Sequence, residues 1–204
     1  NWQKNMKIKI LNNIINILFL FFVFFSLSFC DQNNEKRLLK NNNITVKVFS
    51  SLTCPHCANF HENVVLKIKN DKEINNVIKF EHIGFPLNLQ ALNAEKVLQC
   101  SKNQEKKDEL LTHLYKKQNN WASQSDINDI NESLKNIGKT YGLSITELDM
   151  CLKDENLEEK ILEKLLNAQK EYKINSTPTI FINDKKYKGD HKFKDFKKEI
   201  EKLL

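Results

Sequence analysis

The spacing of apolar positions changes several times along the chain, and each change marks a new element. Residues 14–29 form a largely apolar run rich in Phe, Leu and Ile, and residues 31–43 are polar and Asn-rich with no periodicity. Ile44-Thr45-Val46-Lys47-Val48-Phe49 is then a β-branched run of strand length. Pro55 suits a first helical position, and Phe60, Val64, Val65 and Ile68 follow at helical spacing over residues 58–69. Val77 to Ile83 predicts a second strand, ending at Gly84-Phe85-Pro86. From Leu87 to about Tyr172 the pattern is helical. Ile127, Ile130, Leu134, Ile137 and Tyr141 recur at three- and four-residue steps, and Gly142 stands where that helix should stop. Ser144 with Glu147 predicts a capping box, and Asn156 with Glu159 predicts the start of a further helix. Strand character returns at Thr177 to Ile182, with Asn183-Asp184 as a hairpin turn and Lys185 to Tyr187 as the partner strand. After Gly189, Phe193, Phe196, Ile200 and Leu203 line one face of a last helix.

The order is thus β-α-β, a helical insertion over about 87–172, then β-β-α. This predicts an α/β fold of thioredoxin-like type with an inserted helical domain, spanning 44–204. Only four glycines and three prolines occur in 204 residues, which fits a helix-rich chain with few tight turns. The net charge of +6 is spread as Lys/Glu mixtures without a basic block or interleaved aromatics, so a nucleic-acid partner is not expected.

The N-terminal run changes the picture of location. Met6, Lys7 and Lys9 precede the apolar stretch, and Ser26-Leu27-Ser28-Phe29-Cys30 closes it. A basic start, an apolar middle and small residues at the end describe a secretory signal peptide over residues 1–30, with Met6 as the true start and 31–43 as a linker. The expected location is the periplasm. Leu27-Ser28-Phe29-Cys30 resembles a bacterial lipobox, although Phe29 is bulky where that pattern needs a small residue. Ordinary cleavage, lipidation of Cys30 and retention as an uncleaved anchor stay open.

The chemistry concentrates in Cys54-Pro55-His56-Cys57, at the junction of a strand and a helix. Two cysteines at this spacing can close a small ring, and a sulfur at a helix start sits where an anion is favoured. Such placement lowers a thiol pKa to about 3.5–7.5, so Cys54 is the expected nucleophilic sulfur, Cys57 the resolving thiol and His56 a stabiliser of the Cys54 thiolate. A structural zinc site would need a second ligand pair, and Cys100 and Cys151 are far apart without local His partners. His61, His82, His113 and His191 read as surface or packed residues. In an oxidising compartment Cys100 and Cys151 are expected to form a structural disulfide, closing a loop of about 52 residues worth roughly 4 kcal/mol in the chain-entropy model. Two buried free thiols or a second redox pair are the alternatives.

The run Phe49-Ser50-Ser51-Leu52-Thr53-Cys54-Pro55-His56-Cys57, the later Ser176-Thr177-Pro178-Thr179-Ile180-Phe181-Ile182-Asn183 and the helical insertion between them resemble the DsbA family of bacterial periplasmic disulfide oxidoreductases. The resemblance implies a thiol-disulfide oxidoreductase that introduces disulfides into reduced or misoxidised exported client proteins and is re-oxidised by a membrane-bound thiol oxidase of DsbB type. It implies no cofactor and no metal, since the cysteines carry the electrons. It also implies that Pro178 is a cis-proline facing the disulfide and that the Thr177 backbone binds an extended client, whereas the sequence alone fits a trans proline at a strand start equally well. Two departures stand out. The family's acidic residue six positions before the first cysteine is replaced by Val48, and Thr177 is similar to isomerase-type relatives. An isomerase or reductase using the same cysteines is the alternative activity, and an exported metal-binding module is the non-enzyme alternative.

Overall fold

The computed structural model describes residues 44–204, so the signal segment over residues 1–30, with Met6 and Cys30, and the linker over 31–43 lie outside the described residues. The sheet has the order β2-β1-β3-β4, with β1 (Ile44–Ser50), β2 (Ile78–Gly84), β3 (Thr179–Ile182) and β4 (Lys185–Lys186). β1 runs parallel to β2 and antiparallel to β3, and its register sets Val48 opposite both His82 and Ile180. The β3–β4 turn is Asn183-Asp184, both at positive φ (46° and 64°), as a two-residue hairpin loop requires.

Alternation along β1 divides the core. Val46 and Val48 join Ile180 and Ile182 on one face, packed with Phe60, Val64 and Ile68 and with Phe196 and Ile200 of the C-terminal helix. Phe49 and Phe181 face the other way, packed with Phe85, Ala168 and Ile174. The helix after β1 is not continuous. It runs as α1 (Pro55–Phe60), a π turn (His61–Val65) and α2 (Leu66–Lys69). The apolar spacing over 58–69 gave no hint of that wider turn, which adds one residue per turn and buries His61 beside Val64 and Val65.

The helical segment contains α3 (Leu89–Cys100), α4 (Gln104–Lys116), α5 (Gln118–Trp121), α6 (Ile127–Thr140), α7 (Ile145–Lys153) and α8 (Glu155–Glu171). Val97, Leu98, Leu114, Trp121, Leu134 and Leu148 of this segment form one core with Leu52, Cys54 and Cys57. Ser144 and Glu147 form the expected capping box, and Gly142 ends α6 with a φ of +87° that other residues rarely adopt. Asn156 does not start α8. Asp154 does, its carboxylate accepting from Leu157 N at 3.0 Å, because an acidic side chain there also suits the positive end of the helix. Cys100 at the end of α3 and Cys151 in α7 are disulfide-bonded with their Cα atoms 6.1 Å apart. The chain closes with α9 (Phe193–Glu201), which excludes Leu203 from the expected apolar face.

Candidate active site

Ser51 to Thr53 turn the chain out of β1, and the Cys54 amide donates back to Ser51 O at 3.1 Å. Cys54 then caps α1 with extended backbone (φ −84°, ψ 117°), and Pro55 takes the first helical position, where no amide is needed. Cys54 O accepts from the amides of Cys57 and Ala58 at 3.0 and 3.1 Å, so both cysteines are fixed by one turn of backbone. Both sulfurs are free thiols, 7 % and 2 % exposed for Cys54 and Cys57. His56 is exposed.

The Thr177–Pro178 peptide is cis, and the loop presents Thr177 O to the site, where it accepts from Cys54 Sγ at 3.4 Å. Thr179 Oγ1 donates to Ser176 O at 2.8 Å and closes the other side of this loop. The Thr177 hydroxyl is buried and has no hydrogen-bond partner among the described residues. Burial pushes the Cys57 thiol well above the ordinary range, and the nearby Thr177 hydroxyl and Ser51 backbone oppose this only in part. An outer sulfur against a backbone acceptor and an inner sulfur held protonated can exchange disulfides in sequence, with the outer one meeting the incoming thiolate.

Several residues that sequence reasoning did not single out hold the site. Gln118 of α5 donates one amide nitrogen to Leu52 O at 2.8 Å and to Cys54 O at 3.1 Å, tying the helical segment to the cysteine turn. Tyr115 of α4 donates to Ser50 Oγ at 3.0 Å, Ser50 Oγ meets His82 Nδ1 at 3.0 Å, and His82 Nε2 meets Glu95 Oε2 at 2.8 Å. Burial alone would raise the Glu95 carboxyl, but the charge of His82 and hydrogen bonds from His82 and Gln99 outweigh it and bring the pKa below the usual value. His61 is packed rather than exposed. Its ring stacks 5.0 Å from that of Tyr115, its Nε2 meets Thr112 Oγ1 at 3.0 Å, and burial lowers its pKa to about 3. Among the described residues no group of three or more His, Cys, Asp or Glu side chains could hold a metal ion.

Residues 40–202 match the thioredoxin family model. A protein of Rickettsia typhi, provisionally named a protein-disulfide oxidoreductase, is 27% identical over 153 residues, covering 75% of this chain and 56% of that one. A Rickettsia bellii protein of the same provisional name is 28% identical over 155 residues, covering 75% and 58%. The chain therefore spans little more than half the length of these curated relatives. Among solved structures it is similar to alpha-DsbA1 of Wolbachia pipientis, at 26% identity and a TM-score of 0.71 over 79% of this chain and 85% of that one. BdbD of Bacillus subtilis, at 21% identity and a TM-score of 0.68 over 80% and 89%, shares the fold.

Proposed function

This chain belongs to the thioredoxin family, and on that premise we propose that it is a protein thiol-disulfide oxidoreductase acting through Cys54 and Cys57. The observation that carries the reading is the meeting of the Cys54 sulfur, at the start of α1, with the Thr177 carbonyl of the cis-proline loop. An extended client strand beside that loop would bring its sulfur to Cys54. In the oxidising direction a client thiolate attacks Cys54 Sγ, the Cys54–Cys57 bond breaks and its electron pair moves to Cys57. A second client thiolate then attacks the client sulfur of the mixed disulfide and releases Cys54 as a thiolate, leaving the client oxidised and the enzyme reduced.

The clients of this reading are exported proteins, reached in the periplasm by way of the N-terminal segment, and a membrane thiol oxidase of DsbB type restores the disulfide. Thr177 before Pro178 favours a second activity, isomerisation, which begins from the reduced pair. A two-sided assay separates them. The oxidised protein added to a reduced, unfolded client should speed disulfide formation, and the reduced protein added to a scrambled client should speed recovery of native pairing only if isomerisation is also supported. Loss of both with Cys54→Ser is expected, and catalysis that survives Cys54→Ser would overturn the assignment.

A further inference from the structure

The geometry points to a proton route for the buried Cys57, running through Tyr115, Ser50 and His82 to Glu95, a role that rests on the oxidoreductase reading of Cys54 and Cys57. The four residues come from α4, β1, β2 and α3 and meet in one unbroken run of contacts at 3.0, 3.0 and 2.8 Å. Tyr115, Ser50 and Glu95 are buried, and Gly84 at the end of β2 lets Glu95 come this close. A Cβ on Gly84 would stand 2.5 Å from the Glu95 carboxylate carbon.

Tyr115, Ser50 and His82 share with Cys57 the wall of one cavity of about 580 Å³, and the Cys57 sulfur is near enough to push the Tyr115 hydroxyl pKa further up. The direction of the run follows from the donors. Tyr115 donates to Ser50, so the Ser50 hydroxyl proton is left for His82 Nδ1, and His82 then carries its own proton on Nε2 facing Glu95. Every hydrogen along the run points outward from the cysteine side. A proton that moves along it arrives on His82 as imidazolium, the charge that, with the hydrogen bonds from His82 and Gln99, brings the Glu95 carboxyl below its usual range. Other charges face the same cavity: Lys107 and Asp108 on α4, Lys164 on α8, Lys69 on α2, and Lys79 and Glu81 on β2. His61 in the π turn stays neutral, its pKa lowered to about 3 by burial and the neighbouring His82, so it offers no competing cation near neutral pH.

The exchange chemistry needs such a route. When a client thiolate attacks Cys54, the Cys54–Cys57 bond breaks, Cys57 leaves with the electron pair, and the proton held by His82 passes inward to the new thiolate. In the reverse step Cys57 sulfur attacks Cys54, the bond from Cys54 to the client sulfur breaks, the client departs as a thiolate, and the Cys57 proton passes outward to His82. Electrons stay within the sulfurs, and one proton is conserved in each direction. Tyr115 and His82 are positioning residues here, since each acts on Cys57 through the run or the cavity.

The test uses the mixed disulfide of Cys54 with glutathione and follows glutathione release by Cys57 in stopped flow, from about pH 5 to about pH 9. The wild-type rate should level off toward neutral pH. His82→Gln and Tyr115→Phe should release glutathione at least about tenfold more slowly at neutral pH, with a rate that keeps rising in proportion to hydroxide. The reduction equilibrium of Tyr115→Phe with glutathione should stay within about twofold of wild type, because Tyr115 passes the proton on without keeping it. Tyr115→Phe keeps the ring that packs on His61 and decides the matter if His82→Gln does not fold. A wild-type pH profile in Tyr115→Phe, or a slowing that is uniform across pH or matched by a shifted equilibrium, would overturn the route. If the wild-type mixed disulfide never resolves, the oxidoreductase reading fails and takes the route with it.

Discussion

Two pairs of cysteines in this chain share a residue type and almost nothing else. Cys54 and Cys57 stand three residues apart where β1 gives way to α1 and are free thiols, with Cys54 against the Thr177 carbonyl and Cys57 on the wall of a cavity shared with a buried polar run. Cys100 and Cys151 stand 51 residues apart, join the end of α3 to α7 and are bonded. Spacing and surroundings account for the difference. The first pair sits in one helical turn against the cis-proline loop, and burial leaves its inner member protonated. The second pair closes a long loop inside the helical segment and meets only the packing of that segment, with Cys100 Sγ 3.6 Å from Glu147 O. The two pairs thus differ in their place on the helices, in the groups around them and in whether they are bonded.

That contrast can be broken by substitution. The largest expected effect is from Cys54→Ser, which should reduce client oxidation to the uncatalysed background while leaving the fold intact by circular dichroism. Replacing Cys100 and Cys151 together by Ala should do the opposite. It should lower stability by up to roughly 4 kcal/mol, read from the urea midpoint, and leave the glutathione equilibrium of the other pair within about twofold. An equal change in both properties would mean that the two pairs are not separate in role.

The surroundings of Cys54 and Cys57 give two smaller effects. His61 is held neutral with its pKa lowered to about 3 by burial, whereas an unfolded histidine titrates near about 6.5. Between those values the unfolded chain binds a proton that the folded chain does not, so stability is present at neutral pH and declines as the pH falls. From pH 7 to pH 4 the wild-type chain should lose about 3 kcal/mol more than His61→Phe, as measured by urea unfolding at the two pH values. Gln118→Ala leaves the buried Leu52 carbonyl without its Gln118 donor, takes one of three donors from Cys54 O, and should cost about 1–3 kcal/mol. Because that donor steadies the cysteine turn, the same variant should also shift the glutathione equilibrium, which the Ala pair at 100 and 151 should not.

Much of this was legible in the pattern of the chain. The β-branched run at 44–49, the strand before Gly84 and the Asn183-Asp184 turn carry period-two and turn signals that local rules read directly, and the observed strands follow them within two residues. The cysteine motif announces itself by spacing. The π turn does not, because Phe60, Val64 and Ile68 keep helical steps whichever ring size the backbone adopts. Asn156 and Asp154 are both good caps, and the choice between them follows from where α7 ends, which the sequence leaves open by two residues. The polar run was hidden for a different reason. Ser50, His82, Glu95 and Tyr115 belong to separate elements, and only the parallel β1–β2 register and the approach of α3 to Gly84 bring them together. Val48, where the resemblance leads one to expect an acidic residue, sits across from His82 in that register.

The most direct test of the account is the redox equilibrium of the purified protein against glutathione, read by alkylation of each cysteine and mass spectrometry. The account predicts a reversible disulfide confined to Cys54 and Cys57, at a potential near or above that of protein disulfide isomerase, about −180 mV, while Cys100 and Cys151 stay bonded throughout. No reversible bond between Cys54 and Cys57, or a potential near the −270 mV or so of thioredoxin, would contradict the oxidase account.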